Sequence, residues 1–179
     1  MTSFLLIRHC SATGQEPDAP LTTEGLTQAN HLAAALADYP ITRILSSPYI
    51  RAVDTILAYS KLKKIPIELD DRLKERVLSS TNLPDWLEKL EQTFIDPSLS
   101  FEGGESSVGA TTRIVEVLNE GEISEGDYCV VVTHGNLAAL LLHSISADFG
   151  FKGWQSLSNP DVFEITWEKE NKNFKRLSL

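Results

Sequence analysis

Phe4-Leu5-Leu6-Ile7-Arg8-His9-Cys10 is the stretch whose reading decides the fold. Four consecutive apolar residues read as a strand buried on both faces, as in parallel sheets covered by helices. The stretch then ends in a guanidinium and an imidazole, groups for which a core has no use. Ligands bind at the carboxyl ends of strands in open α/β sheets, so Arg8 and His9 mark a candidate site. Arg8 offers a planar fork of donors to a phosphate or carboxylate. His9 can serve as nucleophile, base or metal ligand.

The rest of the chain supplies matching pieces. Tyr128-Cys129-Val130-Val131-Val132-Thr133 is a second fully buried strand and runs into His134-Gly135-Asn136. The helix that follows, Leu137 to Ile145, presents backbone N–H groups and the positive end of its dipole to an anion. Ile41 to Leu45 is another strand, ending in Ser46-Ser47-Pro48, which reads as a capped start with proline early in the next helix. That helix carries Arg51, either as a site residue or as a surface partner of Asp54. Ile65 to Leu69 is a short strand whose Pro66 suggests a sheet edge.

The first helix is expected to start at a Thr22 cap and to bury Leu26, Ala29, Leu32, Ala33 and Leu36, with Gln28 and Asn30 solvated. Between Asp70 and Glu105 the pattern is least regular. Asp70 to Glu75 reads as a loop able to carry a carboxylate over the sheet, and Leu83 to Phe94 as a short helix with Trp86, Leu87 and Leu90 on one side. Ser106 or Ser107 caps a longer helix whose apolar face includes Val108, Ile114, Val115 and Leu118. Val162 to Glu168 and Phe174 to Leu179 form a closing hairpin. This alternation predicts one domain over residues 1–179, a three-layer α/β/α sandwich with a mostly parallel sheet. Its strand ends place Arg8, His9, Arg51 and His134 along one edge. His31 and His143 are expected to have no catalytic role.

Composition narrows the partners. The 179 residues are 42% hydrophobic and 23% charged, ordinary values for a globular chain. No apolar run reaches the roughly 18–20 residues of a membrane span. Met-Thr-Ser followed directly by a strand lacks a signal-peptide pattern, so a cytoplasmic location is expected. Cys10 and Cys129 lie in core strands and read as reduced thiols. A formal charge of −9 argues against nucleic acid and anionic membranes as partners. It is compatible with a small phosphorylated metabolite drawn to a few arginines focused in a cleft. The sequence carries no signal about assembly.

Two arginines and two histidines around a helix N-terminus suit a dianion, with phosphate the obvious one. A zinc site wants a third protein ligand and supporting carboxylates, and two adjacent arginines repel a dication. No metal and no cofactor is therefore expected. A cysteine phosphatase needs an arginine six residues beyond its thiol, where this chain has Glu16 and Gly135. No glycine-rich loop with a lysine, as in nucleotide hydrolases, is present.

Arg8-His9, Leu21-Thr22-x-x-Gly25 with Gln28-Ala29, Ser46-Ser47-Pro48-x-x-Arg51-Ala52, Gly104-Glu105-Ser106 and Thr133-His134-Gly135-Asn136 occur in an order and spacing that resemble the histidine phosphatase superfamily, in its phosphoglycerate mutase-like branch. The resemblance covers nearly the whole chain. It implies phosphoryl transfer through a phosphohistidine on neutral His9, whose other ring nitrogen is held by a carbonyl. Arg8, Arg51 and His134 then neutralise the phosphoryl oxygens, with Gly135 and Asn136 beside them as phosphate contacts. The family places a glutamate acid after the third strand in a Leu-x-Glu context, which Leu73-Lys74-Glu75 matches, so Glu75 is the implied proton donor; its alternative is a solvated loop carboxylate.

Three departures stand out. Cys10 occupies the usual glycine position, the glycine and tryptophan that commonly follow the acid are absent from Arg76-Val77-Leu78-Ser79, and the asparagine of the first loop is missing. Thr13 or Gln15 can replace it as a phosphate contact. The family's mutases are usually longer, so the resemblance implies hydrolysis of small phosphate monoesters. The alternatives are a cofactor-dependent phosphoglycerate mutase and a phosphate-binding module without turnover, the latter prompted by Cys10 and the altered acid loop.

Overall fold

The computed structural model describes residues 1–179. Strands β1 (Thr2–Arg8), β2 (Ile41–Ser46), β3 (Ile67–Leu69), β4 (Tyr128–Thr133), β5 (Asp161–Trp167) and β6 (Lys172–Leu177) form one six-stranded sheet in the order β3-β2-β4-β1-β5-β6. The first four are parallel to one another; β5 runs antiparallel to β1, and β6 antiparallel to β5. Arg8 lies opposite Thr133, and Ser46 opposite Val132, so the carboxyl ends of β1, β4 and β2 stand level with one another.

Helices α1 (Thr23–Ala35) and α2 (Ile50–Lys63) cover one face of the sheet; α4 (Ser107–Glu120) and α5 (Gly135–Ile145) cover the other. Successive residues of a strand point to opposite faces. Phe4 and Leu6 accordingly pack with Ile114, Leu118, Leu137 and Leu141, whereas Leu5 and Ile7 pack with Leu32, Leu36, Ile56 and Tyr59. All four of these β1 residues are fully buried, which explains the unbroken apolar run. Each such side chain contributes roughly 1.5–3 kcal/mol of burial. No helix is long and apolar enough to cross a membrane.

Several local expectations need correction. Leu26 and Val108 are 53% exposed. The buried stripe of α1 runs through Gly25, Ala29, Leu32 and Ala33, and that of α4 through Ser107, Ala110, Ile114, Val117 and Leu118. The expected Ala29, Leu32, Ala33, Leu36, Ile114 and Leu118 thus do face inward, and the error is confined to Leu26 and Val108. Helix α2 starts at Ile50 after a Tyr49 cap, so Pro48 lies outside it. β3 begins at Ile67, two residues later than expected. A short helix α6 (Phe151–Gln155) lies where none was expected, and α3 (Trp86–Ile95) leaves Trp86 and Leu87 largely exposed.

The stripe of α1 is set by contact with the loop after β1. Thr22 caps the helix by accepting from the Gly25 N–H, and the Thr22 N–H itself donates to the Ser11 carbonyl. A Cβ on Gly25 would sit 2.1 Å from that same carbonyl oxygen. Gln28 is not simply solvated as expected, because its Oε1 accepts from the Ser11 N–H at 2.8 Å. The motif Leu21-Thr22-x-x-Gly25 with Gln28 is thus a clamp on the loop that follows His9. Gly25→Ala is expected to lower stability in urea by on the order of 2 kcal/mol, since backbone rather than a movable side chain opposes the new methyl group. A variant as stable as the parent would show that the loop yields freely.

Candidate active site

The parallel strands deliver Arg8 and His9 from β1, His134 from the end of β4, and Arg51 from the first turn of α2 beyond β2. The structure brings all four together. The His9 and His134 ring centroids are 5.1 Å apart, and Arg51 Nε donates to His9 Nε2 at 3.2 Å. His9 Nδ1 lies 2.7 Å from the Cys10 carbonyl oxygen. An acceptor on one nitrogen and a donor on the other leave one neutral tautomer, with the proton on Nδ1 and the lone pair on Nε2.

Arg51 is 1% exposed and forms no ion pair with Asp54; its Nη1 donates to the Glu16 carbonyl at 2.8 Å. Arg8 reaches the carbonyls of Leu157 and Ser158, and its Nε is buried without a partner. Gly135 permits this placement, because a Cβ there would approach Arg8 Nε to 2.9 Å. Burial lowers both guanidinium pKa values, opposed chiefly by Glu75, but arginine keeps its charge. His134 is fully buried, with Nε2 2.8 Å from Ser47 Oγ and Nδ1 unpartnered. Burial, reinforced by His9 and the arginines, pushes its pKa well below the usual value.

Glu75 comes back over the sheet edge, but in an arrangement the sequence did not suggest. Its Oε1 accepts from the N–H groups of Arg76 and Leu137 at 2.8 and 2.9 Å, and its Oε2 from Asn136 at 3.0 Å. The first N–H groups of α5, expected to face a phosphate, are therefore occupied by this carboxylate. Oε1 has both lone-pair positions filled, and Oε2 retains one.

The loop carrying Glu75 is braced from α4. Arg113 donates to the carbonyls of Arg72 and Lys74 and, through Nε and Nη2, to both oxygens of Glu105 at 3.0 and 2.8 Å. Glu105 in turn accepts from the Val77 N–H. Burial alone would raise the Glu105 pKa, but Arg113 and the Val77 N–H hold it below the usual value. It is a poor proton donor. Arg76 is itself buried and donates to the Glu105 carbonyl.

Gln15 lines the cleft beside Glu75, whereas Thr13 is exposed and lies outside the lining. Cys10 packs with Leu21 and Ala29 in a small cluster of its own, and its N–H donates to Thr55 Oγ1. Burial pushes its thiol up to about 11, so it behaves as a core side chain. No three His, Cys, Asp or Glu side chains converge in a group able to hold a metal. Sequence reading missed Ser47, Thr55 and Asn159. Asn159 Nδ2 donates to the His9 carbonyl at 2.9 Å, and no spacing in the sequence signals a partner 150 residues away. Ser47 lay in plain sight within Ser46-Ser47-Pro48, read as a helix cap.

Level parallel strand ends carrying paired arginines and histidines define an α/β protein of the phosphoglycerate mutase-like fold. Residues 4–179 match the histidine phosphatase superfamily (branch 1), and the chain belongs to that family. A curated relative, Probable phosphatase C1620.13 of Schizosaccharomyces pombe, is 29% identical over 158 residues, covering 80% of this chain and 56% of the relative. The chain thus spans little more than half the length of that protein. Among solved structures, Bacillus stearothermophilus YhfR is similar with a TM-score of 0.78 at 23% identity, covering 97% of this chain and 95% of that one. The phosphoserine phosphatase from Entamoeba histolytica, in complex with 3-phosphoglyceric acid, gives 0.76 at 19% identity, covering 100% and 98%. At these identities the likeness of the structures concerns the fold.

Burial, aided by Arg51 and Arg8 and opposed by the Cys10 carbonyl, lowers the His9 pKa from 6.5 to about 4. The neutral ring with its unprotonated Nε2 therefore persists at pH 5 and is lost only as pH falls through about 4. Imidazole chemical shifts of His9 followed by NMR are expected to titrate near that value; a midpoint near 6.5 would show that the cluster does not desolvate the ring.

Proposed function

We propose that the protein hydrolyses small phosphate monoesters through a phosphohistidine formed on His9. One observation carries the reading: a neutral imidazole whose Nδ1 is tied to the Cys10 carbonyl, so that Nε2, facing the Arg51 guanidinium, carries the lone pair. Arg51 now donates to that Nε2. A phosphoryl group entering the cluster takes over the Arg51 N–H, which frees the lone pair for attack on phosphorus. Arg8 Nε, buried without a partner, is a second donor aligned for phosphoryl oxygens.

His134 supplies a third. Ser47 Oγ accepts from the Tyr49 N–H and lies 2.8 Å from His134 Nε2; with the hydroxyl proton directed to Nε2, the His134 proton stands on its unpartnered Nδ1. Fixed donors aimed at developing charge are the main source of rate in phosphoryl transfer.

In the first step the Nε2–P bond forms, the ester P–O bond breaks, and the departing alkoxide takes a proton from Glu75. In the second, water attacks phosphorus while Glu75 recovers the proton, and inorganic phosphate leaves. The remaining lone-pair position on Glu75 Oε2 is where that proton resides. Asn136 and Gln15 flank the cleft beside Glu75 and contact the substrate. The family, the name of the yeast relative and the 3-phosphoglyceric acid held by the Entamoeba protein all favour a small phosphorylated metabolite as substrate.

His9→Ala is expected to keep the parent's circular dichroism and to lose at least about 10³-fold in turnover. The acid-labile phosphoprotein trapped from the parent should disappear with it; a persisting phosphoprotein would move the nucleophile elsewhere. Glu75→Gln is expected to slow alkyl phosphates by roughly 10²-fold. It should slow p-nitrophenyl phosphate far less, because that leaving group needs little protonation. Equal slowing of both would remove Glu75 as the acid.

A further inference from the structure

Beyond the arginine and histidine cluster the cleft opens into two adjoining depressions of about 380 and 400 Å³, which share Gln15, Glu75, Arg76, Leu78 and Trp86. This is the space into which the alcohol part of an ester extends. Its wall sets apolar side chains, Val77, Leu78, Leu83, Trp86 and Trp154, beside the neutral polar Ser79, Thr81 and Asn82. The two tryptophans come from elements that meet at the mouth, Trp86 from the start of α3 and Trp154 from α6. Their rings stand edge to face at 6.3 Å, and Trp154 stacks on Phe151 at 5.5 Å. Phe151 in turn contacts Phe94. A row of aromatic rings thus runs from the protein body to the mouth and holds Trp154 in place, while Trp86 keeps 49% of its surface exposed.

The charges in this space are equally informative. The only cations along the two depressions are Arg8, Arg51 and Arg76. Arg8 and Arg51 belong to the phosphoryl cluster. Arg76 is 4% exposed, and three of its five N–H groups donate to the Glu105 carbonyl and Thr93 Oγ1. No lysine lines either depression, and Glu75 contributes a carboxylate. A second anionic group on the substrate would find no lysine here and only the partly engaged Arg76 to offset its desolvation. Gln15 and Asn82 supply neutral polar contacts at the rim.

We propose that Trp86 and Trp154 form the leaving-group site, and that its occupant is an uncharged alcohol with a flat apolar or aromatic face rather than one bearing a second phosphate or a carboxylate. The inference rests on the phosphomonoesterase reading above and specifies its substrate class. Aromatic faces contribute both buried area and a preferred stacking geometry, which is what an exposed, otherwise unpartnered indole beside a phosphoryl pocket offers.

The test compares 2-phenylethyl phosphate with 3-phosphoglycerate and ethyl phosphate on the full chain. The phenyl ester is expected to exceed 3-phosphoglycerate in kcat/KM by at least about tenfold. Trp86→Ala should remove most of that advantage through KM, while changing ethyl phosphate less than about twofold. Equal or better use of 3-phosphoglycerate, or an equal loss on all three esters, overturns the assignment. Binding of 2-phenylethylphosphonate and 2-carboxyethylphosphonate, followed by tryptophan fluorescence, separates the two levels of the claim. Should no ester be hydrolysed, the phosphatase reading falls, and the wall is still tested: tighter binding of the phenyl compound supports it, and tighter binding of the carboxylate sinks it.

Discussion

Two guanidinium groups and two imidazoles share a nearly dry corner at the carboxyl ends of β1, β4 and β2, and the surrounding structure answers the repulsion among them. Burial together with the arginines keeps both rings neutral. The arginines stay charged and are met by backbone carbonyls of Glu16, Leu157 and Ser158 and by the nearby Glu75 carboxylate. Neutral imidazole is the form that can act as a nucleophile, and positive guanidinium is the form that can hold a phosphoryl group. The same low-dielectric setting therefore serves both demands.

That corner needs its carboxylate in a fixed place, and this accounts for a motif that the chemistry alone leaves idle. Glu105 of Gly104-Glu105-Ser106 binds Arg113, Arg113 holds the carbonyls of Arg72 and Lys74, and Thr133 Oγ1 donates to the Leu73 carbonyl at 2.7 Å. Ser106 caps the helix that carries Arg113. The segment leading into Glu75 is thereby gripped on both sides, and the N–H groups of α5 close on the carboxylate itself. Its position depends on bonds to backbone rather than on a flexible side-chain partner.

How much of this could be read beforehand follows from how local each signal is. The buried strands were legible because runs such as Phe4 to Ile7 and Tyr128 to Thr133 have no other stable use, and the strand-end residues followed from topology. On α1 and α4 only Leu26 and Val108 were misplaced, because close backbone approach at Gly25 and a hydrogen bond from Ser107 to the Thr93 carbonyl, not side-chain hydrophobicity, decide which residues of the first turn face inward. Gln28 and Ser47 were placed in the right elements but given the wrong task, since their partners, Ser11 and His134, are remote in sequence or loop-borne. Helix α6 is five residues long and left no periodic pattern to detect. The occupation of the α5 N–H groups by Glu75 was invisible for a related reason: an anion was expected there, and the chain supplies its own.

β1 is paired on one side with β4 and on the other with β5, and the segment just before β5 grips Arg8 and His9 through Leu157, Ser158 and Asn159. During synthesis on the ribosome, β1 thus waits for partners made more than a hundred residues later. A chain lacking residues 157–167 loses the Leu157, Ser158 and Asn159 contacts to Arg8 and His9 and leaves one edge of β1 unpaired. The placement of the strand-end arginine and histidine is thus completed only when the sheet is.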